Sequence, residues 1–370
     1  MARKRRDDQE HLDPFAEICA ELRKSHEECI YLWGDELLST PKFRFNSGSN
    51  LLDMVLAGGV PSGRVIEVYG WPGTGKTTLC CGLGASAQAQ GGFFFYGDSE
   101  TAFDSDRAVR LGVSPERFLY SKILNLPDGF TIFHEFLRYL KGLPQRYIAR
   151  AEELKGTERK DMLAYAEKIR NAPSIVALDS VAASDVDESI DANEPMADKA
   201  RSIRKYVRKL LNPLAEVNAT LVIVNHLIEN IGSRYPNARP ETSGGWAVKY
   251  WASARLELTK GGRWMIGDRE VGLYTDVHVR KSKFSPSGYS VRCPLGFLDG
   301  FDRLYEAFDY LYASKCGVVT ETGGWYHVNG FPSEGQNLSL RYSALRECCE
   351  ANPKLVEFLL ARMREVFYGL

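Results

Sequence analysis

The sequence predicts an α/β fold built on a mostly parallel, twisted sheet, and two observations lead to this fold class. Short apolar runs recur along the chain with helix-prone stretches between them, and each run ends at polar residues or glycine. Continuous apolar runs are typical of strands buried on both faces, which occur in parallel sheets covered by crossover helices. The clearest runs are residues 65–70, 91–100, 174–180 and 219–226.

The segment ahead of these strands predicts a separate N-terminal element within residues 1–45. It begins with a basic, highly charged arm, and from Pro14 to Trp33 apolar residues recur at helical spacing. We expect this helix to dock on another surface. The arm is either solvated or in contact with nucleic acid, and the sequence leaves both interpretations open.

The rest of the chain predicts a helical insertion, more strands and a small α/β C-terminal domain. Residues 141–172 are charged and helix-prone, and we interpret them as an insertion on the surface of the core. The tail turns at Gly323-Gly324 between two short strands. The later strands are predicted at 254–260, 275–283 and 288–293, and the tail helices at 301–316, 339–350 and 353–369. We therefore expect an N-terminal segment, a core and a C-terminal domain at 1–45, 46–299 and 300–370.

The composition excludes several classes of protein. The chain has 370 residues, with 47 Lys+Arg against 48 Asp+Glu and 44% hydrophobic residues, which is typical of a folded chain. Its length fits about two to three domains. No apolar run approaches the roughly 20 residues of a membrane helix, and the basic N-terminus lacks the apolar region of a signal peptide. The eight cysteines form no CxxC pair, so we expect a reducing, cytoplasmic setting without zinc, disulfides or membrane partners.

The strongest local signal is a phosphate-binding loop of the form G-x-x-x-x-G-K-[ST] between the first apolar strand and a helix. Its glycines let backbone N–H groups face a phosphate, and the helix N-terminus adds the positive end of a dipole. Lys76 is placed to reach the terminal phosphates, and the hydroxyl of Thr77 is placed to ligate Mg²⁺. The predicted nucleotide-binding residues are Gly70, Trp71, Pro72, Gly73, Thr74, Gly75, Lys76, Thr77 and Thr78.

Polar residues at the ends of three other strands are candidates for the chemistry at this nucleotide. Asp179 ends an apolar run in the way that a Mg²⁺-holding carboxylate does. Glu100 and Asp98 end another run, and either carboxylate can orient or deprotonate the water that attacks the terminal phosphate. His226 ends a further run and is either structural or in contact with that phosphate.

In the order of its segments, the chain resembles the RecA family of DNA strand-exchange recombinases from about residue 46 to residue 300, and more weakly in the tail. The likeness rests on NSGSNLLDMVLAGGVPSGRVIEVYG, the phosphate loop, GDSETAFD, VALDSVAAS, VIVNHLIENIG, ETSGGWAVKYWASARL and HVRKSKFSPSG. It implies a RecA-type P-loop NTPase core that uses ATP and Mg²⁺. Bacterial members usually carry Gln in place of His226, and this residue and the GGWY segment are more similar to the bacteriophage branch.

The resemblance also implies roles at the nucleotide. Glu100 matches the catalytic glutamate of the family, and His226 matches the residue that senses the γ-phosphate. Asp104 and Arg107 fall beside the expected base. The family usually has an aromatic ring where this chain has Arg107, and a guanidinium plane can stack there instead.

Further residues match positions that contact a neighbouring subunit or DNA. Lys281 and Lys283 match a pair that reaches across a subunit interface to the neighbour's nucleotide. Two loops, about 184–198 and 227–245, match the DNA-binding loops. Each role has a competing interpretation. The apolar residues can be ordinary loop residues, the arginines can lie on a solvated helix face, and the two lysines can form salt bridges on their strand. The residues implied to contact DNA are Met196, Arg201, Arg208, Ile231, Gly244 and Gly245.

The function that the resemblance implies is ATP-dependent DNA recombination. Its expected partners are single-stranded and double-stranded DNA, further copies of the chain in a helical filament, and single-strand-binding and loading proteins. A ring-forming DNA motor and a mediator that binds nucleotide without exchanging strands are the alternatives. A small-molecule P-loop kinase is least favoured, because it needs neither a basic helix nor paired loops.

Overall fold

The computed structural model describes residues 18, 20–22, 24, 41–181, 195–228, 240–242, 245–331 and 338–369. Contacts divide the chain into one unit of residues 1–42 and another of residues 43–370. In the first unit the described residues between 18 and 24 are helical, and Lys24 pairs with Glu21 at 3.1 Å. The predicted boundaries at 45/46 and 299/300 stay predictions.

A large twisted sheet organises the second unit. Its strands, with those of two smaller sheets, are β1 (Arg44–Phe45), β2 (Val60–Pro61), β3 (Val65–Gly70), β4 (Phe94–Asp98), β5 (Phe118–Lys122), β6 (Ser174–Asp179), β7 (Ala219–Ile228), β8 (Glu241–Thr242), β9 (Ala254–Ile266), β10 (Arg269–Ser282), β11 (Ser290–Gly296), β12 (Gly300–Phe301), β13 (Val319–Thr322), β14 (Trp325–Val328) and β15 (Leu338–Leu340). Six parallel strands lie in the order β9-β3-β7-β6-β4-β5, and β10, β11 and β12 continue the sheet antiparallel beyond β9. The predicted mostly parallel α/β fold is confirmed.

Helices cover both faces of this sheet. They are α1 (Asn50–Val55), α2 (Lys76–Ala89), α3 (Ser105–Arg110), α4 (Leu126–Glu152), α5 (Gly156–Arg170), α6 (Pro195–Glu216), α7 (Gly245–Trp251), α8 (Arg303–Ala313), α9 (Leu345–Ala351) and α10 (Pro353–Tyr368). Along β7, Val222 and Val224 belong to the core that includes α2, whereas Leu221 and Ile223 belong to the core that includes α4 and α6. Burial on both faces explains why the parallel strands form continuous apolar runs. No helix in the described ranges is long and apolar enough to cross a membrane.

The charged stretch 141–172 is helical for most of its length, and its role as an insertion stays a prediction. Its first part is the C-terminal half of α4, which begins at Leu126 and buries Phe130, Phe133 and Leu137 against the sheet. Pro144 lies inside α4 without ending it. The helix therefore starts as an ordinary crossover helix and only then extends beyond the core to pair with α5.

The C-terminal segment packs on the same core as α2. Its secondary structure differs from the prediction in one place. Residues 338–340 form β15 on a three-stranded sheet, and α9 begins only at Leu345, so the helix predicted at 339–350 is too long. Glu306 of α8 is buried and accepts hydrogen bonds from the backbone nitrogens of Asn50 (2.6 Å) and Leu51 (3.2 Å). This burial raises the pKa of Glu306 to about 7. The carboxyl group therefore ties α8 to the start of α1.

Candidate nucleotide site

The phosphate loop connects β3 to α2 at the carboxyl edge of the parallel strands. Gly73 and Gly75 have φ values of 72° and 93°, which favour glycine, and α2 begins at Lys76 directly after them. A Cβ atom at Gly75 would lie 2.7 Å from a methyl carbon of Leu295. A side chain at Gly75 would therefore be strained by the left-handed backbone and would also displace the Leu295 methyl group.

The Lys76 side chain is folded back over its own loop. It is 6% exposed, and its Nζ donates to the carbonyl oxygens of Gly70 and Trp71, each at 3.0 Å. Burial lowers the pKa of Lys76, and Asp179 and Glu100 oppose this effect. An ammonium group held in this way is placed to meet a phosphate at the start of α2.

Asp179 lies at the end of β6, beside the first turn of α2. Its Oδ2 accepts hydrogen bonds from the Thr77 hydroxyl at 2.8 Å and from the Tyr96 hydroxyl at 2.5 Å. Burial raises the pKa of Asp179, and these two hydrogen bonds oppose the rise. A hydroxyl and a carboxylate are the oxygen ligands that Mg²⁺ prefers. Thr77 and Asp179 therefore fit the predicted magnesium site.

Asp98 and Glu100 occupy different environments although they end the same strand. Asp98 is 2% exposed and accepts hydrogen bonds from four successive backbone nitrogens, residues 100–103, at 2.8–3.1 Å. Its carboxylate is therefore engaged in shaping the loop. Glu100 instead faces the phosphate loop, and its Oε1 lies 2.9 Å from Nε2 of His226 and 2.6 Å from the Ser180 hydroxyl. Glu100 is thus the acid that is placed to act on a bound nucleotide.

These side chains surround one cavity of about 550 Å³. Besides the phosphate loop it is lined by Glu100, Asp179 and His226, which bring together the ends of β4, β6 and β7. The cavity extends to Asp104 and Arg107 on the other side. Asp104 caps α3 by accepting from the backbone nitrogen of Arg107 at 2.9 Å, and the Arg107 guanidinium donates to the Thr78 hydroxyl at 3.1 Å.

The sequence missed several residues of this site. Tyr96 and Ser180 supply hydroxyls to its two acids, and Leu295 and Phe297 line the cavity from β11 and the turn after it. Ser180 follows Asp179 directly, and that adjacency was the one available signal. The Tyr96 hydroxyl meets Asp179 because β4 and β6 are neighbours in the sheet, and the sequence of β4 alone does not predict this pairing.

The cavity lining does not include the other predicted residues whose side chains the structure describes, which are Arg201, Arg208, Lys281 and Lys283. The Lys281 ammonium donates to the carbonyl oxygens of Lys249 (2.8 Å) and Tyr250 (3.0 Å) near the end of α7, and Lys283 is exposed. Met196 belongs to α6 and Gly245 begins α7, but their side-chain surroundings, like Ile231 and Gly244, lie outside the described residues. Five exposed cations line one side of α6, and we call them the basic face: Arg201, Arg204, Lys205, Arg208 and Lys209.

The fold and this site together define a P-loop protein of the parallel α/β class. A family model described as the RecA N-terminal domain matches residues 22–137 and 157–302. Protein RecA of Bifidobacterium breve is 32% identical over 87% of this chain and 73% of that protein, and protein RecA of Thermus thermophilus is 31% identical over 86% and 84%. The crystal structure of the RadB recombinase aligns with 19% identity and a TM-score of 0.46, over 70% of this chain and 99% of that one.

The chain belongs to the RecA family of recombinases. The family model leaves residues 138–156 unmatched, which are the C-terminal half of α4, the turn after it and the first residue of α5. The unmatched part is therefore shorter than the predicted insertion at 141–172 and begins within a helix that the core already uses.

Proposed function

We propose that this protein is an ATP-dependent DNA recombinase that forms helical filaments on single-stranded DNA and catalyses homologous pairing and strand exchange, with DNA-stimulated hydrolysis of ATP. One observation carries the proposal: Lys76, Thr77, Asp179 and Glu100 converge on a single cavity at the carboxyl edge of the sheet. His226 and the GGWY segment favour the bacteriophage branch of the family. We expect the protein to act in the cytoplasm.

The hydrolytic step is assigned to the residues around this cavity. Lys76 binds the β- and γ-phosphates with the backbone N–H groups of the phosphate loop. Mg²⁺, held by Thr77 and Asp179, would supply positive charge to the phosphate oxygens. Glu100 orients the attacking water and accepts its proton, because its carboxylate faces the phosphate loop and Asp98 does not. His226 touches Glu100 and is therefore placed to link the γ-phosphate to the loop that follows β7.

Filament formation is assigned to head-to-tail contacts between copies of the chain. Lys281 and Lys283 do not line the cavity of their own chain, which agrees with a role at a neighbour's nucleotide. A head-to-tail contact that does not close on itself generates a helical filament. Within the N-terminal segment, residues 1–45, the predicted helix at 14–33 is proposed as the polymerisation element. Each ATP would then lie between two subunits, so that its hydrolysis loosens the filament.

DNA binding is assigned to the basic face of α6 and to the loops around residues 184–198 and 227–245. The cations of this face project outward, and their role is to contact backbone phosphates without reading sequence. Such contacts leave the bases free to test pairing with a duplex. Met196 and Ile231 are proposed to insert between bases, and Gly244 and Gly245 to lie in the second loop.

The test is ATP hydrolysis measured with and without single-stranded DNA, with negative-stain imaging of the same samples. DNA-stimulated turnover together with helical filaments supports the proposal and leads to a strand-exchange assay. Lys76→Ala is the negative control, and filaments on DNA that persist unchanged in this variant contradict the mechanism. Closed rings indicate a DNA motor instead. Filaments that form without strand exchange indicate a mediator, and turnover that ignores DNA removes the loop assignments.

A further inference from the structure

We propose that Ser180 is a positioning residue that holds the Glu100 carboxylate in its reactive orientation. This role rests on the proposed hydrolysis of ATP by Glu100. Ser180 is the buried residue directly after Asp179, and its proposed role is distinct from the proposed role of Asp179 in holding magnesium. The contacts of Ser180, the distribution of hydrogen bonds on Glu100 and the position of His226 support it in turn.

The backbone of Ser180 is fixed on both sides by one neighbour. The Ser99 hydroxyl accepts from the Ser180 nitrogen at 2.9 Å and donates to the Ser180 carbonyl oxygen at 2.7 Å. The Ser99 nitrogen also donates to the carbonyl oxygen of Asp179 at 2.8 Å. Ser180 is 0% exposed, and its hydroxyl donates to Oε1 of Glu100 at 2.6 Å. A buried donor on a fixed backbone has little freedom, so it transmits its position to the carboxylate that it binds.

Both hydrogen bonds to Glu100 fall on the same oxygen. Oε1 takes the Ser180 hydroxyl at 2.6 Å and Nε2 of His226 at 2.9 Å. A carboxylate only accepts, so Nε2 must carry the hydrogen in this contact. Within the described residues, Oε2 accepts no hydrogen bond and is the oxygen left for water. In the proposed step a water proton moves to Oε2, the water oxygen bonds to the γ-phosphorus, and the bond from that phosphorus to the β–γ bridging oxygen breaks to release ADP.

The two donors differ in how firmly they are held. The His226 side chain is 25% exposed at the end of β7 and faces the cavity, where a γ-phosphate offers it a competing partner. Ser180 is fully buried and does not line the cavity. If His226 turns to the nucleotide, Ser180 still anchors Oε1. The serine therefore keeps the base oriented at the stage when it is needed.

The test compares Ser180→Ala with the same substitution at a second buried serine, at the start of β6. Ser174 is also 0% exposed, and its hydroxyl accepts from the Phe93 nitrogen at 3.3 Å at the far end of β6 from the site, so Ser174→Ala is the matched control. We expect Ser180→Ala to lower the kcat of ATP hydrolysis about tenfold, with nucleotide Kd changed less than about twofold. Ser180→Cys keeps a weak hydrogen-bond donor, so its kcat should lie between those of Ser180→Ala and the unmodified chain. Ser174→Ala should keep the kcat of the unmodified chain.

A double variant separates positioning from a general structural effect. If Ser180 acts through Glu100, adding Ser180→Ala to Glu100→Gln leaves the low residual turnover unchanged. Four outcomes would each overturn the role of Ser180. In Ser180→Ala, they are an unchanged kcat or a loss of nucleotide binding as large as the loss of kcat. In the other variants, they are an equal loss of kcat in Ser174→Ala or additive losses of kcat in the double variant. If the unmodified chain itself binds ATP but does not hydrolyse it, the proposed function fails and this role fails with it. If the unmodified chain hydrolyses ATP and Ser180→Ala does so equally well, only the role of Ser180 is refuted and the proposed function stands.

Discussion

The nucleotide site and the basic face of α6 are fixed by the fold to very different degrees. Lys76 and Asp179 are nearly buried, at 6% and 7% exposure, and each makes two hydrogen bonds to residues around it. The cations of the basic face are exposed, and Lys205 and Lys209 lie over the Tyr206 ring, at 5.7 and 5.9 Å from its centroid. Chemistry at a phosphate needs fixed atoms, whereas phosphate contacts along a polymer need mainly charge. Substitutions should therefore have large, selective effects at the first region and small, graded effects at the second.

The largest effect is expected at Glu100. Glu100→Gln removes the proton acceptor while keeping the shape of the side chain, so ATP turnover should fall at least about 100-fold while ATP binding persists. Turnover by phosphate release and binding by a fluorescent ATP analogue check this. Asp98→Asn is the matched control: it weakens a carboxylate that accepts four backbone N–H groups and should mainly lower the free energy of unfolding. Near-normal turnover in Glu100→Gln would remove Glu100 from its role.

The next effect tests whether the site of one chain is completed by another. Lys281→Ala should lower turnover at least about tenfold, because it removes a cation from the neighbour's phosphates. When Lys281→Ala and Glu100→Gln chains are mixed equally before assembly on DNA, about a quarter of the interfaces pair an intact Glu100 with an intact Lys281. Turnover should then exceed that of either variant alone. Lys354→Ala, an exposed lysine on α10, should change nothing. No recovery in the mixture contradicts action across the interface.

The strand ends were the part of the site that the sequence could predict. Each is marked locally, by glycines around Lys76 or by a carboxylate after an apolar run, as at Asp179. The sequence could not separate Asp98 from Glu100 without the family resemblance, because both end the same strand. In the structure Asp98 lies opposite Asp179 in the parallel register of β4 and β6, with its carboxylate turned into the following loop. That direction is set by backbone conformation, which the residue types do not reveal.

Other features had no sufficient signal in the sequence. β5 lies at the edge of the sheet, and none of its residues is fully buried, so it lacks the apolar run that marked its neighbours. β9 and β10 form a longer hairpin than predicted because partly exposed residues continue both strands. Lys281 ends up beside the carbonyl groups of α7, a contact between segments about thirty residues apart that no local pattern announces. The family resemblance supplied its proposed role, and the single chain shows only that it lies away from the cavity.

A smaller and more gradual effect is expected on the basic face. Arg208→Ala should weaken binding to single-stranded DNA by less than about tenfold. It should also reduce the slope of log affinity against log salt by about 0.7 for each DNA phosphate that the variant no longer neutralises. Arg201→Ala should behave alike, and the double variant should show about the sum of the two effects. Lys168→Ala on α5 removes an exposed charge elsewhere and serves as the control. An unchanged salt slope would make this face an ordinary solvated surface.

The last effect is on stability, and it is expected in the buried region, at the second hydroxyl on Asp179. Tyr96→Phe removes a hydrogen bond of 2.5 Å to a buried carboxylate but keeps the ring contacts with Phe94 and Phe103, so the free energy of unfolding should fall by about 1–2 kcal/mol. Tyr120→Phe is the matched control, because its hydroxyl meets Asp98 at 3.2 Å and the side chain is 42% exposed, and it should change stability by less than about 0.5 kcal/mol. Urea unfolding measures both. The Mg²⁺ concentration for half-maximal ATP binding should also rise a few-fold in Tyr96→Phe alone, because Asp179 loses one of the two groups that orient it. If the two variants lose equal amounts of unfolding free energy, the burial of the Tyr96 hydroxyl adds nothing to its hydrogen bond with Asp179, and the expected difference between buried and exposed groups is refuted.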